Sequence, residues 1–129
     1  MMTTETATPL LTVTVAGHPP SQNARLHHMT RYRVNRMWRD EVAWKVKAAR
    51  LGRVWDKVRV QATFQHRRKS FADVDNLTAS LKPLLDGLVV GGLVVDDSPE
   101  HLELMPVVQV VGDRRAVTLD VWAVEDGDA

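Results

Sequence analysis

Five aspartates gather between Phe71 and His101, in the stretch FADVDNLTASLKPLLDGLVVGGLVVDDSPEH. Asp73, Asp75, Asp86, Asp96 and Asp97 surround one apolar helical segment that holds a single lysine, Lys82. Each carboxylate raises the cost of ionising its neighbours unless a cation or a hydrogen-bond donor lies between them. The pattern therefore predicts something positive among these side chains. Taken singly, Asp73, Asp75 and Asn76 are also the residues of a loop and a helix N-cap, and Asp96, Asp97 and Ser98 those of a turn. A calcium loop of the EF-hand kind is a poor explanation, because it needs Asp or Asn at position 77 and Gly at 78, where Leu77 and Thr78 stand.

In order, Asp73-Val74-Asp75-Asn76-Leu77, then Lys82-Pro83-Leu84-Leu85-Asp86-Gly87-Leu88, then Asp96-Asp97 resemble the core motif of the RusA family of Holliday-junction resolvases. That motif is D-x-D-N-L, a helix carrying a lysine, and a downstream D-D. A strand followed by Pro19-Pro20-Ser21-Gln22-Asn23 is similar to the beginning of such chains. The resemblance implies a magnesium-dependent, structure-selective endodeoxyribonuclease, with manganese as a substitute ion, that resolves four-way DNA junctions by paired symmetric cuts in recombination and repair. It implies Asp73, Asp75 and Asp97 as metal ligands and catalytic residues, with Asp96 as a substitute or supporting partner. Lys82 would stabilise charge in the transition state. Asn76 would orient a carboxylate or cap the helix, and Asp86 would support by hydrogen bonding. A homodimer is implied too, since two symmetric incisions call for two sites related by a two-fold axis. Host and phage origin are both open. So are two other functions: a nuclease with broader choice among branched DNAs, and a junction-binding protein that has lost cleavage.

The lysine is where the chain departs from the family pattern, which has it three residues after the asparagine. That position is Ala79 here, whereas Lys82 lies six residues on. Three extra residues turn a helix by roughly 300° and lengthen it by about 4.5 Å, so 79 and 82 share a face. Pro83 then falls a turn deeper than the first turn in which a proline is harmless. An irregular first turn, or a helix that begins near Ser80, is expected.

The elements around this stretch are those of one domain spanning residues 1–129, with residues 1–9 and 125–129 as disordered tails. The 44% hydrophobic and 26% charged fractions suit a globular protein, and no run approaches the roughly eighteen apolar residues of a membrane span. Without cysteine there is no disulfide, thiolate zinc site or thiol nucleophile. With no basic n-region at the N-terminus, a cytoplasmic location is expected. The net charge of +1 hides an asymmetry. Residues 25–69 carry fourteen Lys or Arg against Asp40, Glu41 and Asp56, while residues 70–129 carry three basic against twelve acidic side chains. The first region suits a polyanion and the second suits cations, although a solvated surface with chance clustering gives the same count.

Leu10 to Ala16 alternates as a half-buried strand. Ala24 to Arg36 shows neither period and reads as a mobile basic loop, in which Arg25, Arg31, Arg33 and Arg36 interleave with Tyr32 as DNA contacts. His27 and His28 make a poor metal pair, being adjacent. Met37 to Leu51 is an amphipathic helix with Trp38, Val42, Val46 and Ala49 inward and Gly52 at its end. Trp44 falls off that stripe. Lys57 to His66 is a strand leading through Arg67, Arg68 and Lys69, a second candidate DNA contact, to Asp73. Leu93 to Val95 is a short extended piece. Leu102 to Val111 and Ala116 to Val124 read as two strands joined by a hairpin at Gly112 to Arg115. The expected fold is α+β: a mixed or mainly antiparallel sheet of about four strands with two main helices.

Overall fold

The computed structural model describes residues 8–21 and 27–124. Arg25 and both predicted tails from residue 125 on and up to residue 7 lie outside the described residues. The chain forms an α+β domain around a mixed five-stranded sheet. Strand β2 (Val58–His66) is its centre, and its alternation is complete: Val58, Val60, Ala62, Phe64 and His66 are buried, the residues between them half-buried. On one side β2 pairs antiparallel with β5 (Ala116–Ala123), which pairs antiparallel with β1 (Leu11–Ala16). On the other side it runs parallel to β3 (Leu102–Leu104) and β4 (Val108–Val111).

Two features of this sheet correct the sequence reading. The single strand expected over Leu102 to Val111 is two strands, because Pro106 lacks the N–H a ladder needs. The registers Val60↔Leu104 and Thr63↔Val108 leave one extra residue on the outer side, so the interruption is a bulge. The expected hairpin between the last two strands does not form. β4 and β5 lie on opposite sides of β2, and the segment from Gly112 to Arg115 carries the chain across the end of β2. There the Gly112 N–H donates to the His66 carbonyl at 2.8 Å, and the Gln65 amide donates to the Arg114 carbonyl at 2.9 Å. A Cβ on Gly112 would stand 2.3 Å from the Gln65 side chain, so a larger residue there would have to push that side chain off the Arg114 carbonyl.

Helix α1 spans His28–Ala49 and overturns the basic-loop expectation for its first half. His27 caps it, its Nδ1 accepting from the Met29 N–H at 3.2 Å. Only Val42, Ala43 and Val46 are buried. The first half shows no apolar period because it buries no residue; it extends a helix already nucleated by the packed half, at the low cost of propagation. Ala49, expected inward, is exposed. The left-handed cap residue is Arg50, at φ 51°, rather than Gly52.

The helix expected after the D-x-D stretch is two. α2 covers Val74–Ser80 and α3 covers Lys82–Val90, parted at the buried Leu81. Pro83 lies in the first turn of α3, where its missing N–H is harmless, so the break meets the constraint that proline imposes. The restart comes at Lys82, two residues beyond the expected Ser80. α3 packs along α1 with glycine at the seam. A Cβ on Gly87 would lie 2.6 Å from the Arg39 carbonyl oxygen, and one on Gly91 2.7 Å from Val46 Cβ. Leu77, Leu81, Leu84 and Leu88 then join Val42, Val46 and the inner face of β2 in one core. Among the described residues no helix is long and apolar enough to cross a membrane.

Candidate functional site: an acidic strip between two basic hollows

Phe71 to Asp73 is not left to wander before α2. The Gln109 side-chain amide, from β4, accepts from the Ala72 N–H at 3.0 Å and donates to the Ala72 carbonyl at 3.1 Å, as a neighbouring strand would. The same Gln109 oxygen accepts from His66 Nε2 at 2.9 Å, which fixes that nitrogen as the protonated one. Asp73 follows and caps α2, its Oδ1 accepting from the N–H groups of Asp75 at 2.8 Å and Asn76 at 3.3 Å. Asp75 projects from the first turn, exposed, where the positive end of the helix favours a carboxylate.

Asp96 and Asp97 come from the other side of α3. Leu93 and Val94 are buried, and Val94 bridges Trp55 in parallel, so the chain emerges for the aspartate pair from a fixed point. Asp96 Oδ1 accepts the Asp97 N–H at 2.8 Å, closing a turn. Lys82 reaches across to Asp97 Oδ2 at 2.5 Å and also holds Asp86, one turn along its own helix, at 3.0 Å. The lysine side chain is 61% exposed and that of Asp97 19%. The bond to Asp97, then that to Asp86, raises the Lys82 pKa above its ordinary value, and the bond to Lys82 lowers that of Asp97. The ammonium is thus the positive group the carboxylate pattern called for.

Lys82 and Asp86 form one wall of a hollow of about 200 Å³ whose other wall is α1, with Tyr32, Asn35, Arg36 and Arg39. The structure therefore brings Tyr32 and Arg36 to Lys82, across the glycine seam. Arg31 and Arg33, on the same helix, do not line it. Asp40 meets both guanidiniums, Arg39 at 3.1 Å and Arg36 at 3.8 Å.

A larger hollow, about 550 Å³, opens on the other side of α2. His18, His66, Arg67, Arg68, Asn76 and Arg115 line it. His18 Nε2 donates to the Gln65 carbonyl at 2.8 Å, so its Nδ1 is the acceptor that takes a hydrogen bond from Arg115 at 3.0 Å. Burial, opposed by the Gln65 carbonyl and helped by the charges of Arg115 and His66, lowers the His18 pKa. Lys69 stands exposed in the turn beside this hollow without lining it.

Asp73, Asp75 and Asp97 do not stand together as a ready ligand set. Among the described residues no three carboxylate or imidazole side chains gather as a metal ion would need, and Lys82 forms no ion pair with Asp73 or Asp75. As placed, one face of Asp97 is taken by the ammonium and one oxygen of Asp73 by its cap bonds. A divalent ion therefore does not fit this arrangement without movement of both. The sequence reading missed His18, Gln109 and Arg115, which bear on the site through partners remote along the chain. His66 did leave a signal: it is a polar residue in the buried phase of β2, immediately before the basic cluster. Comparison with models of protein families and with characterised proteins finds no match to this chain.

Proposed function

We propose that this protein acts on branched DNA as a metal-dependent endodeoxyribonuclease that resolves four-way junctions, working as a homodimer. The observation that carries this reading is the lysine of the motif, fastened between Asp86 and Asp97 on the wall of a hollow that Arg36 and Arg39 also line. Phosphodiester hydrolysis needs charge stabilised on the phosphoryl oxygens, and an ammonium already held in place can supply it. Asp86 and Asp97 keep Lys82 protonated and aimed. A phosphate oxygen arriving at Nζ would replace one of the two carboxylates, and Asp86 would retain the lysine on its helix. Tyr32, on the facing helix, offers a ring for stacking on an unpaired base, and Arg36 and Arg39 offer phosphate contacts.

Magnesium, or manganese in its place, would supply an activated water and neutralise charge at the phosphate. On this reading Asp73, Asp75 and Asp97, with Asp96 beside them, would become its ligands only after Asp97 gave up the Lys82 ammonium and Asp73 turned from its cap bonds. The hold of Lys82 on Asp97 favours a second reading, in which the protein binds junctions and does not cut them. A labelled mobile four-way junction incubated with the protein and magnesium separates the two. Paired symmetric cuts are expected; cuts on flaps and forks as well would broaden the substrate class, and a shifted but intact junction would establish binding alone.

A further inference from the structure

The larger hollow has a chemistry of its own. Of its lining residues none is a carboxylate, in a chain with sixteen Asp and Glu, yet three are arginines and two are histidines. Four guanidiniums elsewhere are neutralised, Arg36 and Arg39 by Asp40, Arg59 by Glu103 and Arg114 by Asp113, while Arg53 lies over the Trp55 ring. Arg67, Arg68 and Arg115 have no carboxylate partner among the described residues. Arg115 is aimed instead by a neutral group, His18 Nδ1, and His18 is itself fixed by its bond to the Gln65 carbonyl. His66, buried, is held by Gln109 in an edge-to-face contact with His18, ring centres 5.1 Å apart. A guanidinium positioned without being neutralised is the arrangement an anion needs, since the site keeps its charge and loses little entropy on binding.

We propose that this hollow is a phosphate-binding pocket, with Arg115 as its anchor and Arg67 and Arg68 as its outer walls, that seats a phosphodiester group of the bound DNA strand beside the D-x-D turn. Its ligand class is a phosphate group carried on a nucleic-acid strand, and in that respect the inference rests on the proposed action on DNA. Asn76 joins the pocket to the motif, being at once one of its lining residues and the third residue after the Asp73 cap. The histidines contribute shape and orientation: His18 spends Nε2 on the Gln65 carbonyl and Nδ1 on holding Arg115.

The test is a proton NMR titration of the full-length protein at pH 7.5, following the imidazole C2–H resonances of His18 and His66. Inorganic phosphate is added in one arm and a short single-stranded oligonucleotide in the other. Wild type, Arg115→Gln and the double variant Arg67→Gln, Arg68→Gln are compared, and circular dichroism checks that each folds. The two resonances are expected to move in both arms for wild type and to stay in place for Arg115→Gln. Oligonucleotide affinity is expected to fall about tenfold in the double variant, whose side chains have no ion-pair partner to lose among the described residues. Movement with inorganic phosphate alone would assign the pocket to a small phosphorylated solute and overturn the strand assignment. Resonances unmoved in both arms, in a protein that still retards a junction in a gel, would overturn the pocket and leave the proposed function standing. Movement with the strand in a protein that cuts no DNA would uphold the pocket and overturn the nuclease.

Discussion

The two hollows beside α2 and α3 are both rich in cations, and they differ in what answers the charge. In the smaller one each cation has a carboxylate: Arg36 and Arg39 share Asp40, and Lys82 has Asp86 and Asp97. In the larger one the guanidiniums have none among the described residues, and a neutral imidazole positions Arg115. The difference teaches that a count of basic residues says little about where a polyanion binds. An ion pair that exists before binding must be broken to make a new one, whereas an unpaired guanidinium releases only water and counterions.

The largest expected effect lies in the acidic strip. Asp75→Asn keeps shape and removes charge, and it should abolish junction cleavage while gel-shift affinity survives or tightens; wild-type cutting would remove Asp75 from the chemistry. Lys82→Ala comes next. It should slow single-turnover cleavage by about a hundredfold with little loss of junction affinity, the signature of a donor used in the transition state. An equal fall in affinity would make Lys82 a binding residue and blur the contrast between the hollows.

The contrast itself is read from salt dependence. Removing Arg67 and Arg68 together should lower the slope of log affinity against log salt by about two, one unit for each phosphate contact. Removing Arg36 and Arg39 should lower it by less, because both guanidiniums are already paired with Asp40 before the strand arrives. Equal slopes would show that prior pairing does not matter here.

The smallest effect concerns acid. His18 titrates below the ordinary imidazole value of about 6.5, chiefly through burial, with Arg115 and His66 facing it and Arg67 and Arg68 on the same walls. Its folded state therefore binds the proton less readily than the unfolded chain. The stability it contributes is fully present above the unfolded value and is lost as pH falls through the lower folded one. Urea melts of wild type and His18→Gln between pH 7.5 and 5 should show a shallower decline in the variant. Parallel curves would mean that folding leaves the proton affinity of His18 unchanged.

The sheet was legible where burial imposes a period. β1 and β2 announce themselves through Val13 and Val15 and through Val58 to Phe64, since each second residue meets the core. Pro106 was on the page as a strand breaker and accounts for the fifth strand. The false hairpin was not avoidable from local pattern, because what parts β4 from β5 is β2, about fifty residues earlier. The first half of α1 was illegible for the opposite reason: with nothing to bury, it carries no period to read. At the site, the N-cap role of Asp73 follows from its place before a helix. The reach of Lys82 to Asp97 and of Gln109 to Ala72 depends on how α3 and β4 are laid down, which no spacing encodes.

The seam of Gly87 and Gly91 has a mechanical consequence. Ahead of Val42 the first half of α1 runs about 21 Å as a spoke with no fully buried residue, Trp38 packing half-buried against the core. Where the spoke meets the body, α3 touches it backbone to side chain, with Gly87 against Arg39 and Val42. Contacts this short leave the two helices little room to shift against each other at the seam. On the proposed function, a duplex leaning on Tyr32 or Arg36 would therefore also press on the helix that bears Lys82.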